Sequence, residues 1–587
     1  MALKPISKIK PLPAYAVYDL ETSVSLRHTY LLGYQDVHGY RYWESPMLPP
    51  EHPHSVVTQF LKWYLTPEHR NQWLFAHNGG NFDHIFCLAA LVKNFPQYKL
   101  ELIPSQSSIL MLRVSPNGGG KQCWKFLDSA RTLTDSLDSL GKCFLGEGKI
   151  EVTDYSTLHT NPLRYEYLQK DCDLLYRVIG RYFTMLRDNI KGQPGISAAS
   201  TALATYRTSF QEKDIKELPD ESAALIRQGY YGGRCEIFRK EFKSESSSIL
   251  HDYDVNSLYP TMMREPQPVE QVARNKTLHL EICGFIDATV EVGPCHIPVL
   301  PYRGGGKLLF PTGRWRGTFS TVELRLAEEH NQLKSIRVHD AIYFRTSDIF
   351  SRYVDRLYKL RDKSEPDYQL PLDRLAKILL NSLYGKFGSS AERETIHIRP
   401  SLDDIIDKNM QEMPSPISVN AYLERTVADT DYMLPQISAW ITALGRCRLA
   451  QQLLACNHES YYCDTDAVFT PMKITCGTNL GQWKDEYEKD PIQYAYFVAP
   501  KVYVLKHESG RLTNKAKGFA RFGEKLPDNA VAILQSGESL PVSRFTKARS
   551  VIRGDFGLIL SRKQIQSTST KRVFHKDGTS TPIKVKE

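Results

Sequence analysis

Eleven cysteines fall in 587 residues without one Cys-x-x-Cys pair or regular spacing, so neither a zinc site nor a disulfide framework is expected. No apolar run approaches the eighteen or so residues a membrane span needs, and the opening "MALKPISKIKPLPAYAVYDLE" lacks the apolar core of a secretory leader. An intracellular protein with no membrane partner is therefore expected. Disorder is excluded as well: 41% of the residues are hydrophobic and 11% aromatic, with 32 tyrosines. The chain is too long for one core, so three to five structural units should share it, interleaved or in series. A net charge of +9 suits a polyanionic partner without requiring one. From Ser561 to Glu587 seven basic residues face two acidic ones, which reads either as a mobile nucleic-acid grip or as a solvated end.

Within that frame, two aspartates stand one residue apart in the apolar run "YYCDTDAVF" (461–469). Carboxylates about 6 Å apart repel by roughly 3 kcal/mol at an effective dielectric near 20. A cation between Asp464 and Asp466 would remove the conflict, although a charged turn at a strand end also explains an isolated Asp-x-Asp. A third carboxylate, Asp254, ends the apolar stretch "SSILHDYDVNSLYP" before a tight turn into a helix. "LDRLAKILLNSLYGKFG" (372–388) has helical periodicity that puts Lys377, Asn381 and Tyr384 on one face, with Leu375 and Leu379 anchoring another. Such a stripe suits a triphosphate and a flat base.

The N-terminal third carries a separate acidic set. "YAVYDLETS" reads as a buried strand over Ala14 to Leu20, and the spacing of Asp19 and Glu21 puts both on one face. "WLFAHNGGNFDHIF" runs from a strand through a Gly-rich turn to Asp83 at a helix start, and "YEYLQKDCDLLYRVIGRYF" is an amphipathic helix with Tyr167 and Asp171 one turn apart. Four carboxylates on two strands and two helical segments could hold divalent ions and a water for attack on a phosphodiester.

The order Asp-x-Glu, Asn-x3-Phe-Asp, Tyr-x3-Asp resembles the exonuclease motifs of family-B DNA polymerases. "DVNSLYP", "KILLNSLYG" and "YCDTD" resemble that family's polymerisation motifs, and "GYYGGRCEIF" and "PKVYVLK" its Tyr-x-Gly-Gly and Lys-x-Tyr elements. The resemblance spans residues 14 to about 525. It implies an α/β multidomain fold, an RNase H-like 3′–5′ exonuclease followed by a right-hand palm, fingers and thumb. It also implies a DNA-directed DNA polymerase with proofreading. In the exonuclease, Asp19, Glu21, Asp83 and Asp171 would be metal ligands, Tyr167 would orient the attacking water, and Lys149 would be their basic partner. Thr22, Asn78, Phe82 and Ser129 would hold the primer end. In the polymerase, Asp254, Asp466 and the carbonyl of Val255 would hold two Mg²⁺ ions, with Mn²⁺ as a substitute and Asp464 beside them. Lys377, Asn381, Tyr384, Gly385, Ser257, Leu258 and Tyr259 would contact the incoming dNTP, Tyr259 excluding a 2′-hydroxyl. Tyr230, Gly232, Gly233, Lys501 and Tyr503 would contact template and primer.

Size and motif style resemble the protein-primed branch of that family, found in phages, viruses and linear plasmids. The implied division is exonuclease 1–200, palm 201–266 and 431–525, an insertion contacting a terminal protein at 267–345, fingers 346–390, an insertion serving strand displacement and processivity at 391–430, and thumb with basic tail at 526–587. The second insertion is polar enough for a protruding hairpin or loop. DNA, dNTPs, a terminal protein, a single-strand-binding protein, a monomeric state and residence in the host cytoplasm, or in an organelle, are the accompanying expectations. Two alternatives compete: a family-B polymerase primed by an oligonucleotide, and a nuclease or DNA-binding protein whose polymerase half is inert.

Overall fold

The computed structural model describes residues 2–586 apart from 24, 106–107, 118–121, 153, 155–156, 246–247, 391, 416–418, 428–431, 520–526 and 566–570. Parts of the expected second insertion and of the basic tail therefore lie outside the described residues.

Ten strands form one mixed sheet in the spatial order Gln411–Met413, Ala421–Val427, Glu392–Ile398, Tyr98–Ser105, Ser108–Pro116, Trp124–Asp128, Trp73–Ala76, Tyr15–Thr22, Thr29–Asp36, Gly39–Leu48. Its parallel centre joins Tyr15–Thr22 to Trp73–Ala76 and the latter to Trp124–Asp128. These strands are apolar on both faces, as a sheet covered on both sides requires. Ala16, Tyr18 and Leu20 pack with the helices Val56–Tyr64 and Asp83–Asn94, whereas Val17 packs with the long helix Leu163–Asp188. The alternation turns Asp19 and Glu21 to the side of Val17, towards the helix that carries Asp171.

A second, antiparallel sheet runs in the order Cys235–Ile237, Tyr462–Asp464, Ala467–Thr470, His251–Val255, Trp483–Asp485. The buried helix Pro435–Ala455 packs against it and against Leu258–Met263. Ser351–Lys359 and Leu370–Phe387 form a helix pair lying on Ala198–Ser209. Residues 267–347 build a further sheet from Gln267–Asn275, Leu333–Ser347, Gly284–Val292 and Thr312–Ser320.

Two segments differ from the sequence-based expectation. The strands Glu392–Ile398, Gln411–Met413 and Ala421–Val427 do not stand free: Ile396, His397 and Ile398 pair antiparallel with Leu102, Glu101 and Leu100, so the three strands extend the N-terminal sheet. Ile396 and Ile398 are buried there, and the Arg399 guanidinium donates to the carbonyls of Val92, Phe95 and Tyr98 at 2.5–3.0 Å, capping the end of the Asp83–Asn94 helix. The C-terminal stretch, where described, is built into strands: five of its seven basic residues, Arg562, Lys563, Lys576, Lys584 and Lys586, are exposed as a solvated end would have them, but Arg572 is not. Arg572–Phe574 and Ser580–Pro582 form a hairpin with Arg572 only 3% exposed, and Lys584–Lys586 pairs in parallel with Thr312–Arg314. Basic composition suggested a solvated tail because it gave no sign of the buried carboxylate that partners Arg572.

Candidate functional site: two carboxylate centres

The N-terminal centre comes from one strand and two helices, not two strands and two helical segments: Asp19 and Glu21 on Tyr15–Thr22, Asp83 opening its helix, Asp171 within Leu163–Asp188. Burial, then the charges of Asp19 and Asp171, pushes Glu21 up to about 8. Burial, then the charge of Asp19, pushes Asp171 up to about 7 and Asp83 well above the carboxylate range. Burial also raises Asp19, against the pull of Lys149. The Lys149 ammonium lies 2.5 Å from Asp171 Oδ2 and 5.0 Å from the centroid of the Tyr167 ring, and Tyr167 hydrogen-bonds Asp171. One oxygen each of Asp83 and Asp171 is buried without a hydrogen-bond partner.

Around these acids the Gly-rich turn is shaped by close packing. Asn78 sits in the left-handed region (φ 63°) and accepts from Asn81, and a Cβ on Gly80 would strike the carbonyl of Ile109. Ser129 is buried, its hydroxyl 3.0 Å from His77 Nδ1. Because His77 Nε2 donates to the Asp135 carbonyl at 2.9 Å, Nδ1 is the acceptor from Ser129, and burial pushes this histidine down to about 4, keeping it neutral. Phe82 packs on Phe86 and on Phe545 of the C-terminal segment, ring centroids 5.0 and 5.3 Å apart. Thr22 ends its strand at a bulge opposite Thr29.

At the second centre, Asp254 pairs in register with Ala467 across the sheet, and the amide of Val255 donates to the Asp466 carbonyl at 2.9 Å. Thr465 between the two aspartates has φ 67°. The three acids are not equivalent. Asp464 accepts from Lys501 Nζ at 2.5 Å and from the Tyr462 hydroxyl at 3.3 Å. Among the described residues no lysine or tyrosine donates a hydrogen bond to Asp254 or Asp466: burial, then Asp466, pushes Asp254 up to about 7, and burial, with Asp464 adding, pushes Asp466 up to about 6. Lys501 is itself left-handed (φ 64°), and Tyr503 packs beside Tyr462 at 5.6 Å.

Lys377, Asn381 and Gly385 are exposed along Leu370–Phe387 while Leu375 and Leu379 are buried, and the charge of Lys377 acts on Asp254. Tyr384 lies on Tyr259 with ring centroids 4.5 Å apart, and Tyr259 is in turn close to Gly445, where a Cβ would come within 3.3 Å of its ring. Leu258 is buried, and Ser257 (φ 58°) accepts from Arg361 at 2.8 Å. Tyr230 packs on Gly388. Gly233 is needed by the protein itself, since a Cβ there would lie 2.6 Å from Thr465 Cγ2, whereas Gly232 faces open space. Sequence reasoning missed Arg446, whose buried guanidinium donates to Glu323 at 2.9 Å and to the Tyr231 carbonyl at 2.5 Å, fixing the Tyr-x-Gly-Gly loop. Nothing local in the sequence marks it, because the same helix also carries Arg448 and the acid that pairs with Arg446 lies 123 positions away.

Among the described residues no three His, Cys, Asp or Glu side chains are drawn into a ready coordination sphere. The donor sets nevertheless fit divalent cations: buried carboxylates raise one another's pKa at both centres, and at the first two of their oxygens are unpartnered.

An acidic palm-like sheet beside a helix pair, joined to a second acidic α/β unit, has the architecture of a DNA polymerase with a nuclease domain. Phi29 DNA polymerase, solved with primer-template DNA and incoming nucleotides, shares this fold at a TM-score of 0.72 and 18% identity, over 94% of this chain and 100% of that one. The chain belongs to the organellar and viral type B DNA polymerases, whose family model matches residues 159–466. Polymerases of type B generally use divalent metal ions. Among relatives, the DNA-directed DNA polymerase of Enterobacteria phage PRD1 is 25% identical over 77% of this chain and 76% of its own length. A probable DNA polymerase of Ascobolus immersus is 24% identical over 76% of this chain but 41% of its own length. The chain thus spans about half the length of three of the fungal relatives it matches, 41%, 49% and 54%.

Proposed function

We propose that this chain is a DNA-directed DNA polymerase with 3′–5′ proofreading, copying a viral or linear-plasmid genome from a protein primer in its host's cytoplasm or organelle. The observation that carries the reading is the presence, in a chain of this family, of two separate carboxylate centres, each with one acid tied to a lysine: Asp171 to Lys149 and Asp464 to Lys501. In the polymerase centre Asp254, Asp466 and the Val255 carbonyl would hold two Mg²⁺ ions, or Mn²⁺. Bound there, such ions supply charge neutralisation for a triphosphate and acidify a primer hydroxyl. Asp464, engaged by Lys501 and Tyr462, steadies the turn. Lys377 and Asn381 present a cation and an amide to phosphate, Gly385 leaves room at the helix end, and Tyr384 gives a base a flat surface. Tyr259, wedged against Gly445, Leu258 and Tyr384, blocks a 2′-hydroxyl. Tyr230, Gly232, Lys501 and Tyr503 line the route of primer and template.

In the exonuclease centre Asp19, Glu21, Asp83 and Asp171 would hold the ions, and Tyr167 with Lys149 would orient a water. Thr22, Asn78, Phe82 and Ser129 would receive the unpaired end. The segment 392–427 is tied to the N-terminal sheet, and Ser415 donates to the Ile552 carbonyl at 2.7 Å while Arg549 reaches Glu394 at 2.5 Å. A bridge fixed at both ends supports enclosure of the template and unaided strand displacement. The sheet over 267–347 is the surface offered to a terminal protein.

The test is extension of one labelled primer on a single-stranded circle with Mg²⁺ and dNTPs and no other protein. Products many times the circle's length would support the reading. Synthesis stopping after one lap would remove strand displacement, and a primer that only shortens would leave the nuclease alternative.

A further inference from the structure

A group of charged side chains lies buried below the polymerase-type turn, and the roles above do not use it. Arg234 and Glu236 flank Cys235, and each is 1% exposed. Arg234 Nε donates to Glu236 Oε2 at 2.8 Å and its Nη1 to the Pro298 carbonyl at 2.8 Å. The other carboxylate oxygen, Oε1, is 3.4 Å from Arg572 Nη1, which arrives from the C-terminal hairpin 336 positions away. Arg572 is locked from behind: Nε donates to Ser580 Oγ at 2.8 Å and Nη2 to the His296 carbonyl at 3.0 Å, while Ser580 Oγ donates to the Phe238 carbonyl at 2.6 Å. A carboxylate between two guanidiniums is expensive to desolvate, and apolar side chains could fill the space at less cost. Its retention calls for a use.

What the group touches supplies one. The carbonyl of Arg234 accepts the amide of Thr465 at 2.6 Å, and Cys235 pairs in register with Asp464. Thr465 is a β-branched residue at φ 67°, a conformation that persists only when its surroundings impose it. The Arg234 strand imposes it from one side, and that strand is held in turn by Glu236 and Arg572.

We propose that Arg572 is a positioning residue of the polymerase centre: through Glu236 and Arg234 the C-terminal hairpin fixes the turn that presents Asp464 and Asp466. The inference rests on the polymerase reading above, and it makes the last sixteen or so residues part of the nucleotide-transfer site although none of them reaches it.

The test uses the full chain as wild type, Arg572→Ala and Arg572→Lys, followed by hydrogen exchange of residues 462–468, single-nucleotide extension and primer degradation. In Arg572→Ala, exchange of 462–468 should quicken about tenfold, as loss of a buried ion-pair partner loosens that turn alone. Extension should fall about 10²-fold, the scale of a misplaced acid, with degradation at the wild-type level. Arg572→Lys, which keeps the charge but not the fork, should fall between, and millimolar guanidinium ion should restore Arg572→Ala in part. Unchanged exchange at 462–468, or an equal rise in the Asp83–Asn94 helix, would overturn the proposal. If Arg572→Ala does not fold, Ser580→Ala, which removes only the hydroxyl behind Arg572, is judged by the same exchange criterion. A wild type that fails to extend primers would refute the polymerase reading, while the exchange comparison would still decide the role of Arg572.

Discussion

Replacing Gly233 by alanine should cripple nucleotide transfer, and the structure sets the size of the effect. The new Cβ would lie 2.6 Å from Thr465 Cγ2, 2.7 Å from its Oγ1 and 2.9 Å from its Cβ. Ordinary carbon contacts are about 3.5–4.0 Å, so roughly an ångström must be found. Rotation of Thr465 cannot provide it, because both branches and the Cβ are in contact and one χ1 change only exchanges one clash for another. The turn itself must move, carrying Asp464 and Asp466. Overpacking of this kind costs about 1–3 kcal/mol of stability, and an ångström of misplacement costs about 10²-fold in rate. Gly232→Ala is the matched control, since nothing lies within 4 Å of its Cβ position and its φ is not positive. Single-nucleotide incorporation at saturating DNA, with primer degradation run in parallel, reads both variants. Gly233→Ala should lose incorporation even with DNA saturating and keep degradation, whereas Gly232→Ala, whose Cβ meets no protein atom and can only weaken the hold on DNA, should regain incorporation once DNA saturates. Wild-type incorporation by Gly233→Ala, or an equal loss in Gly232→Ala, would refute the packing argument.

Arg399→Ala should release the segment 399–427 from the N-terminal sheet, since it removes a charged donor from the last carbonyls of the Asp83–Asn94 helix. A loss of about 2–3 kcal/mol is expected for charged hydrogen bonds of this kind, seen as faster limited proteolysis within 399–427. Glu236→Gln should alter the acid limb of stability. Burial works against the Glu236 carboxylate, but Arg234 and Arg572 hold it below its ordinary value of 4.5, so it stays ionised in the folded chain at pH values where the unfolded chain takes up a proton. Its contribution is complete above about pH 4.5 and disappears as pH falls through the folded value. The variant should therefore show a shallower fall in stability below pH 4.5 than the wild type, and parallel curves from pH 5 to 3 would contradict the assignment.

What the sequence revealed followed from contiguity. Asp254 to Tyr259, Lys377 to Gly385 and the 461–469 run each carry several functional groups within one or two turns of chain, so spacing alone places them on a face. Asp19 and Glu21 were legible because a period of two on an apolar strand leaves no other arrangement. The supports were not legible, because each is a single residue whose partner is remote: Arg446 with Glu323, Arg399 with carbonyls some 300 positions earlier, Arg572 with Glu236. Only "RCEIF" gave a faint hint, since an arginine and a glutamate one residue apart in an otherwise apolar stretch are costly to bury unless they are paired. The docking of 392–398 beside Tyr98–Ser105 was hidden as well, because strand pairing between distant segments leaves no local mark.

The central claim is that two separate carboxylate centres perform opposite reactions on one primer end. It is tested most directly by one labelled primer-template incubated with Mg²⁺, with and without dNTPs, and with wild type, Asp466→Ala, or Asp19→Ala combined with Glu21→Ala. The account predicts that Asp466→Ala shortens the primer and never lengthens it, and that the double variant lengthens it and never shortens it. Loss of both activities in either variant, with the chain still folded, would contradict the two-centre account.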